Sequence, residues 1–157
     1  MKLNKQFSGV AGEYFVAGEL SRHGFLAAIT LRNSDGVDIL TSDENGNHQL
    51  AIQVKTTQGK DKWLLTSKVE LEENASDNKY FVFVTLPFDS RNQPIYSIIQ
   101  AKQLGAFVKK AHKDWLEAPE KNRKDHNARQ YEQYWAEKAG FTIFNNFEEF
   151  LTSIKER

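Results

Sequence analysis

Tyr80-Phe81-Val82-Phe83-Val84-Thr85-Leu86 is the stretch that most restricts what this chain can become. Side chains alternate sides along a strand, so a strand with water on one face alternates apolar with polar. A continuously apolar run has no face for water and needs protein on both sides. The chain therefore predicts a central strand in a sheet with a layer on each face. A length of 157 residues is enough for one domain with a real core. The flanking pattern predicts a helix from about 8 to 24 with Ser8 as its N-cap, a strand over 25–31, and hairpin strands near 36–42 and 49–57. An extended piece follows over 63–66, then a short acidic segment of helical character over 67–74. After the central strand come a strand over 95–99 and a helix over 101–115. Polar, irregular chain is expected over 116–130, then a helical piece over 131–139, a short extended piece over 141–144 and a last helix over 147–154. The order α-β-β-β-α-β, then β-α, predicts an α/β protein with a mixed central sheet flanked by helices. One domain is expected over 1–157, with a core over about 8–100 and a C-terminal helical extension over about 101–157.

Charge excludes some partners and leaves others. Lys and Arg number 21 and so do Asp and Glu, so the chain is not coated in positive charge, though a local basic patch is compatible with it. There is no cysteine, which removes disulfides, thiol nucleophiles and zinc–thiolate sites. The N-terminus has no apolar run of signal-peptide type, and no segment approaches the ~20 apolar residues of a membrane span. The expectation is a soluble cytoplasmic protein without a membrane partner.

The hairpin carries the chemistry. Gly36-Val37-Asp38-Ile39-Leu40 and Ala51-Ile52-Gln53-Val54-Lys55 flank Asn45-Gly46, a dipeptide suited to a type I′ turn, which needs positive φ at both central residues. Such a turn sets Glu44 across from Asn47 and Asp38 across from Gln53. Lys55 shares the face of Gln53 and lies diagonal to Asp38. Val37, Ile39, Ile52 and Val54 fall on the opposite, core-facing side. Leu40 and Ala51 make the Asp38 face apolar as well, so that face is expected to be covered.

Helix one offers two acids. Glu13 has Val10, Val16, Ala17 and Leu20 as helical neighbours, so it lies on or beside the apolar face, where a carboxylate needs a cation or donors. Glu19, near Arg22 and His23, is the ordinary surface acid. If helix one packs over the face bearing Asp38, Gln53 and Lys55, all four meet. Asp38 and Glu13 then supply hard oxygen ligands of the kind Mg²⁺ prefers, Gln53 a neutral third, and Lys55 a charge to neutralise developing negative charge or orient a water. Without metal, removing the Asp38 carboxylate should relieve repulsion and raise the melting temperature, and removing Lys55 should lower it. The alternative is a diagonal Asp38–Lys55 ion pair on an exposed sheet, with Gln53 solvated. Asp35 flanks a turn and is a minor candidate.

Other groups carry less. His23, His48, His112 and His126 show no metal-ligand spacing, and His126 with Asp125 and Arg123 reads as solvated loop. Lys102, Lys109, Lys110, Lys113, Lys121, Arg123 and Lys124 exceed the nearby acids, a surplus that phosphates can use but that more often marks a charged helix face. Trp115, Tyr131, Tyr134 and Trp135 could stack on bases, but packing against the sheet is the expectation.

Asp38, the Gln53-x-Lys55 pair, and Gly12-Glu13 opening a helix that ends near Gly24 together resemble the PD-(D/E)XK nuclease superfamily. The likeness is to the restriction-endonuclease-like branch containing archaeal Holliday junction resolvases, and it spans roughly residues 8–86. The resemblance implies an α-β-β-β-α-β core with Glu13 as the helix acid, Asp38 as the second-strand Asp, Gln53 in place of the second acid, and Lys55 as the Lys. It further implies Mg²⁺ or Mn²⁺ held by Asp38, Glu13, Gln53 and the Val54 carbonyl, and hydrolysis of phosphodiesters, with DNA as partner and a homodimer compatible. Val37 replaces the usual proline. Gln53 removes one negative charge from the metal site. The rival expectations are a catalytically inactive module of the same fold that binds nucleic acid or protein, and a structural subunit with a buried ion-pair network.

Overall fold

The computed structural model describes residues 1–31, 36–119 and 122–157. Helix α1 spans Lys5–Arg22, a turn earlier than Ser8 predicted. The cap is Asn4, whose Oδ1 accepts from Phe7 N at 2.9 Å. Ser8 is inside the helix, its hydroxyl donating to the Lys5 carbonyl at 3.1 Å. The buried stripe is Ser8, Gly12, Val16 and Leu20, repeating every fourth residue.

Strands β1 (Phe25–Ile29), β2 (Ile39–Asp43) and β3 (Leu50–Gln58) run antiparallel in sequence. Strand β4 (Lys62–Thr66) and a 3₁₀ helix (Ser67–Asn74) then cross over to β5 (Lys79–Leu86), which pairs parallel to β3. A parallel pair cannot be closed by a tight turn, so the chain must make such an excursion. Strand β6 (Ile95–Gln100) returns antiparallel, followed by α2 (Ala101–Glu117), β7 (Ala128–Glu132), α3 (Gln133–Lys138), β8 (Ile143–Phe144) and α4 (Phe147–Lys155). The main sheet has the order β1-β2-β3-β5-β6-β8, and β4 pairs with β7 in a small second sheet. This is the mixed sheet flanked by helices that the element order implied, with the apolar run as a central strand.

Strand β5 splits the core in two. Tyr80, Val82 and Val84 enter a layer with Val16 and Leu20 of α1 and with Phe147, Phe150, Leu151 and Ile154 of α4. Phe81 and Phe83 enter the other, with Leu104, Phe107 and Val108 of α2 and with Trp63, Leu65 and Tyr131 of the small sheet. Strand β7 lies where irregular chain was expected. It alternates correctly, but one inward position is Arg129, a charge, which hides the pattern. Arg129 is buried because Glu70 and the His126 carbonyl take its guanidinium.

The hairpin is in the expected register along Ile39–Ile52, Leu40–Ala51 and Thr41–Leu50, but by a different route. The turn is closed by Asp43, whose N donates to the Asn47 carbonyl at 2.9 Å and whose carbonyl accepts from Gly46 N at 3.1 Å. Positive φ occurs at Gly46 (79°) and His48 (49°), not at Asn45. The one-residue offset of the longer loop is undone by the left-handed residue His48. Asp43 stabilises this loop locally, its Oδ1 accepting from Asn45 N and Asn47 N.

Candidate functional site

Gln53 and Lys55 lie on the same side of β3 as Phe81 and Phe83 lie on β5, since they pair in register. Ile52 and Val54 point to the α1 layer. At Asp38, strand β2 leaves β3. The Asp38 N–H donates to the Ile52 carbonyl at 2.8 Å, one residue short of the ladder partner the register predicts. Its carbonyl still accepts from Thr30 N of the β1 segment at 2.9 Å. The Val54 N–H, which a continued β2 would have satisfied, donates instead to Asp38 Oδ2 at 2.7 Å. The half-buried Asp38 carboxylate thus replaces a missing strand. A residue's N–H and C=O point to the same side of a strand, so the Val54 carbonyl faces the same gap.

Gln53 and Lys55 line a cavity of about 520 Å³ between β3 and the β4–3₁₀ crossover. Leu64, Lys68, Leu71, Glu72 and Lys79 share its wall. Lys79 Nζ and Glu72 Oε1 pair at 2.7 Å and neutralise one another. Among the described residues, neither the Lys55 nor the Lys68 ammonium nor the Gln53 amide has a hydrogen-bond or ion-pair partner. The diagonal Asp38–Lys55 ion pair is therefore not formed. Sequence inspection missed Lys68, Glu72 and Lys79: they sit two or three elements after the hairpin, and only the crossover and the β3–β5 pairing bring them to it.

Two expectations are corrected. Helix α1 packs on the Ile39–Ile52–Val54 side of the hairpin, not over the face of Gln53 and Lys55. The reason is Val16 and Leu20, which pack where the hairpin is more apolar. The opposite face of β1–β2 is also not covered: Leu40 is 52% exposed and Leu26 63%. Glu13 is half-buried on the flank of the α1 stripe. Its neighbour Gly12 lies so close to β3 that a Cβ would stand 1.9 Å from Thr56 Oγ1, the strand position following Lys55. Glu19 pairs with Arg22 at 2.8 Å and is only partly exposed. Asp35 lies outside the described residues, as does Lys121.

The other sequence candidates divide cleanly. Lys102, Lys109, Lys110 and Lys113 of α2 are each paired with a carboxylate, so the surplus there is a paired helix face. Tyr131 is in the core, its hydroxyl 2.8 Å from Ser97 Oγ. Tyr134 and Trp135 are not packed against the sheet but exposed beside Lys138. His112 and His126, far apart in sequence, meet with ring centroids 5.4 Å apart, and Trp115 stacks on His112. Asp125 accepts from His112 at 2.8 Å, and that bond holds its carboxyl below the usual range. The cluster fastens the segment after α2 to the helix. Among the described residues no three His, Asp or Glu side chains assemble as a metal cluster, and no helix is long and apolar enough to cross a membrane.

The chain matches no protein-family model, and no curated protein matches it. It is similar to a solved structure of Hjc, a Holliday junction resolvase from the hyperthermophilic archaeon Archaeoglobus fulgidus, with a TM-score of 0.44 and 16% identity over 83% of this chain and 93% of that one.

Proposed function

We propose that this chain is a metal-dependent nuclease that hydrolyses phosphodiester bonds of DNA. One observation carries the proposal: the gap where β2 leaves β3 holds the Asp38 carboxylate against Val54 N–H, next to a cavity lined by Gln53 and by Lys55, which has no ion-pair partner among the described residues. Asp38, the Val54 carbonyl, the Gln53 amide and Glu13 are oxygen donors throughout, which suits Mg²⁺ or Mn²⁺ and not a thiolate-seeking metal. When bound, such an ion polarises the phosphoryl oxygen and lowers the pKa of a water.

The protein's own part follows from its charges. Lys55 and Lys68 attract a phosphate, because among the described residues neither ammonium is ion-paired to a carboxylate, while Glu72 is taken by Lys79. Lys55, set on a rigid strand beside Asp38, stabilises the added negative charge on the phosphate oxygens as the bond to the attacking oxygen forms. The hydrogen bond from Val54 N–H fixes the Asp38 carboxylate through one oxygen and leaves the other for a ligand.

Cleavage of supercoiled, linear, branched and single-stranded DNA with Mn²⁺ tests the proposal. Cleavage is expected, and its loss in both Asp38→Ala and Lys55→Ala, with metal binding kept in the latter. Absence of cleavage on every substrate overturns it. A second proposal, a module that binds nucleic acid without cutting it, is favoured by Gln53, whose neutral amide supplies no charge to a divalent cation. The cleavage assay separates the two, and calorimetry tests the role of residue 53: tighter Mn²⁺ binding by Gln53→Glu means that it is among the ligands, and unchanged affinity excludes it.

A further inference from the structure

The wall of the Lys55 cavity has an apolar half that phosphate binding does not use. Leu64 on β4 and Leu71 on the 3₁₀ helix both line it, yet they are 74% and 72% exposed. Close by in the chain, Leu65 after Leu64 and Val69 two residues before Leu71 are buried and face the second core layer. Leu64 and Leu71 are therefore outward positions that carry leucine where a polar residue would serve solubility. They stand on the two elements that also bring Lys68 to the cavity. The result is a recess with cations at Lys55 and Lys68, an amide at Gln53, and two leucines at its rim.

We propose that this recess takes an unpaired nucleotide, its phosphate on Lys55 and Lys68 and its base against Leu64 and Leu71. The inference rests on Lys55 being a phosphate contact, as in the nuclease reading. In a duplex the base faces are stacked on one another, so a protein meets only phosphates, sugars and base edges. Leucine side chains beside a phosphate site gain little from such a surface, where the thymine methyl is the main apolar group. A nucleotide out of the stack presents both an anion and a flat apolar face, which this recess matches. Its volume of about 520 Å³ falls within the range of pockets that enclose a small organic group. Charge complementarity excludes a cationic or purely apolar guest: after Lys79 and Glu72 cancel, Lys55 and Lys68 are the charges left on the wall among the described residues. The β4–3₁₀ crossover thus selects DNA with single-stranded character, such as a flap, bulge or open junction.

Fluorescence anisotropy in the presence of EDTA, so that no metal contributes, tests this with three labelled probes of one sequence: a single strand, a duplex, and the duplex with a short bulge. The wild-type protein is expected to bind the single strand and the bulged duplex about tenfold tighter than the duplex. Leu64→Ser/Leu71→Ser should lose that preference and keep its duplex affinity, and as both side chains are exposed its circular dichroism should match the wild type. Lys68→Ala should weaken all three probes alike and reduce the salt slope by about one. Equal wild-type affinity for the three probes overturns the inference, as does a preference that survives the double leucine substitution. Mn²⁺-dependent cleavage without the preference removes this inference and leaves the nuclease proposal standing. The preference without cleavage on any substrate supports this inference and removes the nuclease.

Discussion

A single hydrogen bond changes the expected behaviour of Asp38. Considered as one acid among others, its carboxylate is a source of repulsion, and Asp38→Ala should stabilise the protein. The structure places Val54 N–H 2.7 Å from Asp38 Oδ2, a bond to a charged acceptor that replaces a missing strand. Asp38→Ala leaves that N–H without its acceptor and should cost about 1–3 kcal/mol. Asp38→Asn keeps an oxygen in place and should cost less than half as much, while the cleavage proposed above is lost in both. Urea denaturation of the two variants checks this; equal stability loss would mean that the Val54 bond contributes nothing. The face and neighbours of Gln53 and Lys55 were legible because strand alternation is local. The Asp38 bond was not, because it depends on where one strand parts from another.

Among the secondary-structure elements, two glycines govern how closely helices approach their partners. A Cβ on Gly12 would stand 1.9 Å from Thr56 Oγ1, and one on Gly105 of α2 would stand 2.3 Å from the Glu73 backbone N. The Thr56 side chain can rotate or be removed, whereas the backbone of the 3₁₀ helix cannot yield without shifting the whole element. Gly12→Ala should therefore cost about 1–3 kcal/mol, partly recovered in Gly12→Ala/Thr56→Ala. Gly105→Ala should cost more and be rescued by no side-chain truncation on the 3₁₀ helix. Equilibrium unfolding of the three variants gives the order, and a Gly105→Ala protein as stable as Gly12→Ala would contradict it. Helix positions were readable from periodicity alone. Their distance from the sheet was not, since a glycine within a helix is silent about what it touches.

Buried tyrosines connect the whole molecule to pH, Tyr96 and Tyr131 most strongly. Tyr96 packs against the α1–α4 layer and Tyr131 lies in the α2 layer. Burial raises both phenols above their ordinary value of 10.0, with Glu19 adding to the shift at Tyr96 and the Ser97 hydrogen bond opposing it at Tyr131. A raised folded-state pKa means the native protein holds its proton where the unfolded chain has lost it. The associated stability is full below pH 10.0 and is lost as pH rises from there through the folded-state values. Unfolding free energy should fall steeply above that point. Each Tyr→Phe change should flatten the fall, but with opposite effects at neutral pH. Among the described residues the buried Tyr96 hydroxyl has no hydrogen-bond partner, so Tyr96→Phe should leave stability unchanged or raise it by up to about 1 kcal/mol. Tyr131→Phe strands the buried Ser97 hydroxyl and should lower it by about 1–2 kcal/mol. Denaturation at neutral and alkaline pH measures both; a gain from Tyr131→Phe would contradict the assignment.

What the sequence determined by itself was whatever a few consecutive residues decide. The apolar run Tyr80 to Leu86 dictates a strand with a layer on each side, and alternation across Ala51 to Lys55 dictates which side chains share a face. Even the hairpin register emerged, although the turn is held by Asp43, Gly46 and His48 instead of an Asn45-Gly46 pair, because the register answers to burial of Ile39 and Ile52 more than to the turn. The tertiary structure alone decided which hairpin face α1 covers, that β4 and β7 form a second sheet, and that Lys68, Leu64 and Leu71 meet Lys55 around one cavity. Those outcomes depend on competition between surfaces distant along the chain. Local pattern ranks each surface by itself, but only packing the whole chain shows which pairs bury the most apolar area while leaving two lysines and two leucines facing an open recess.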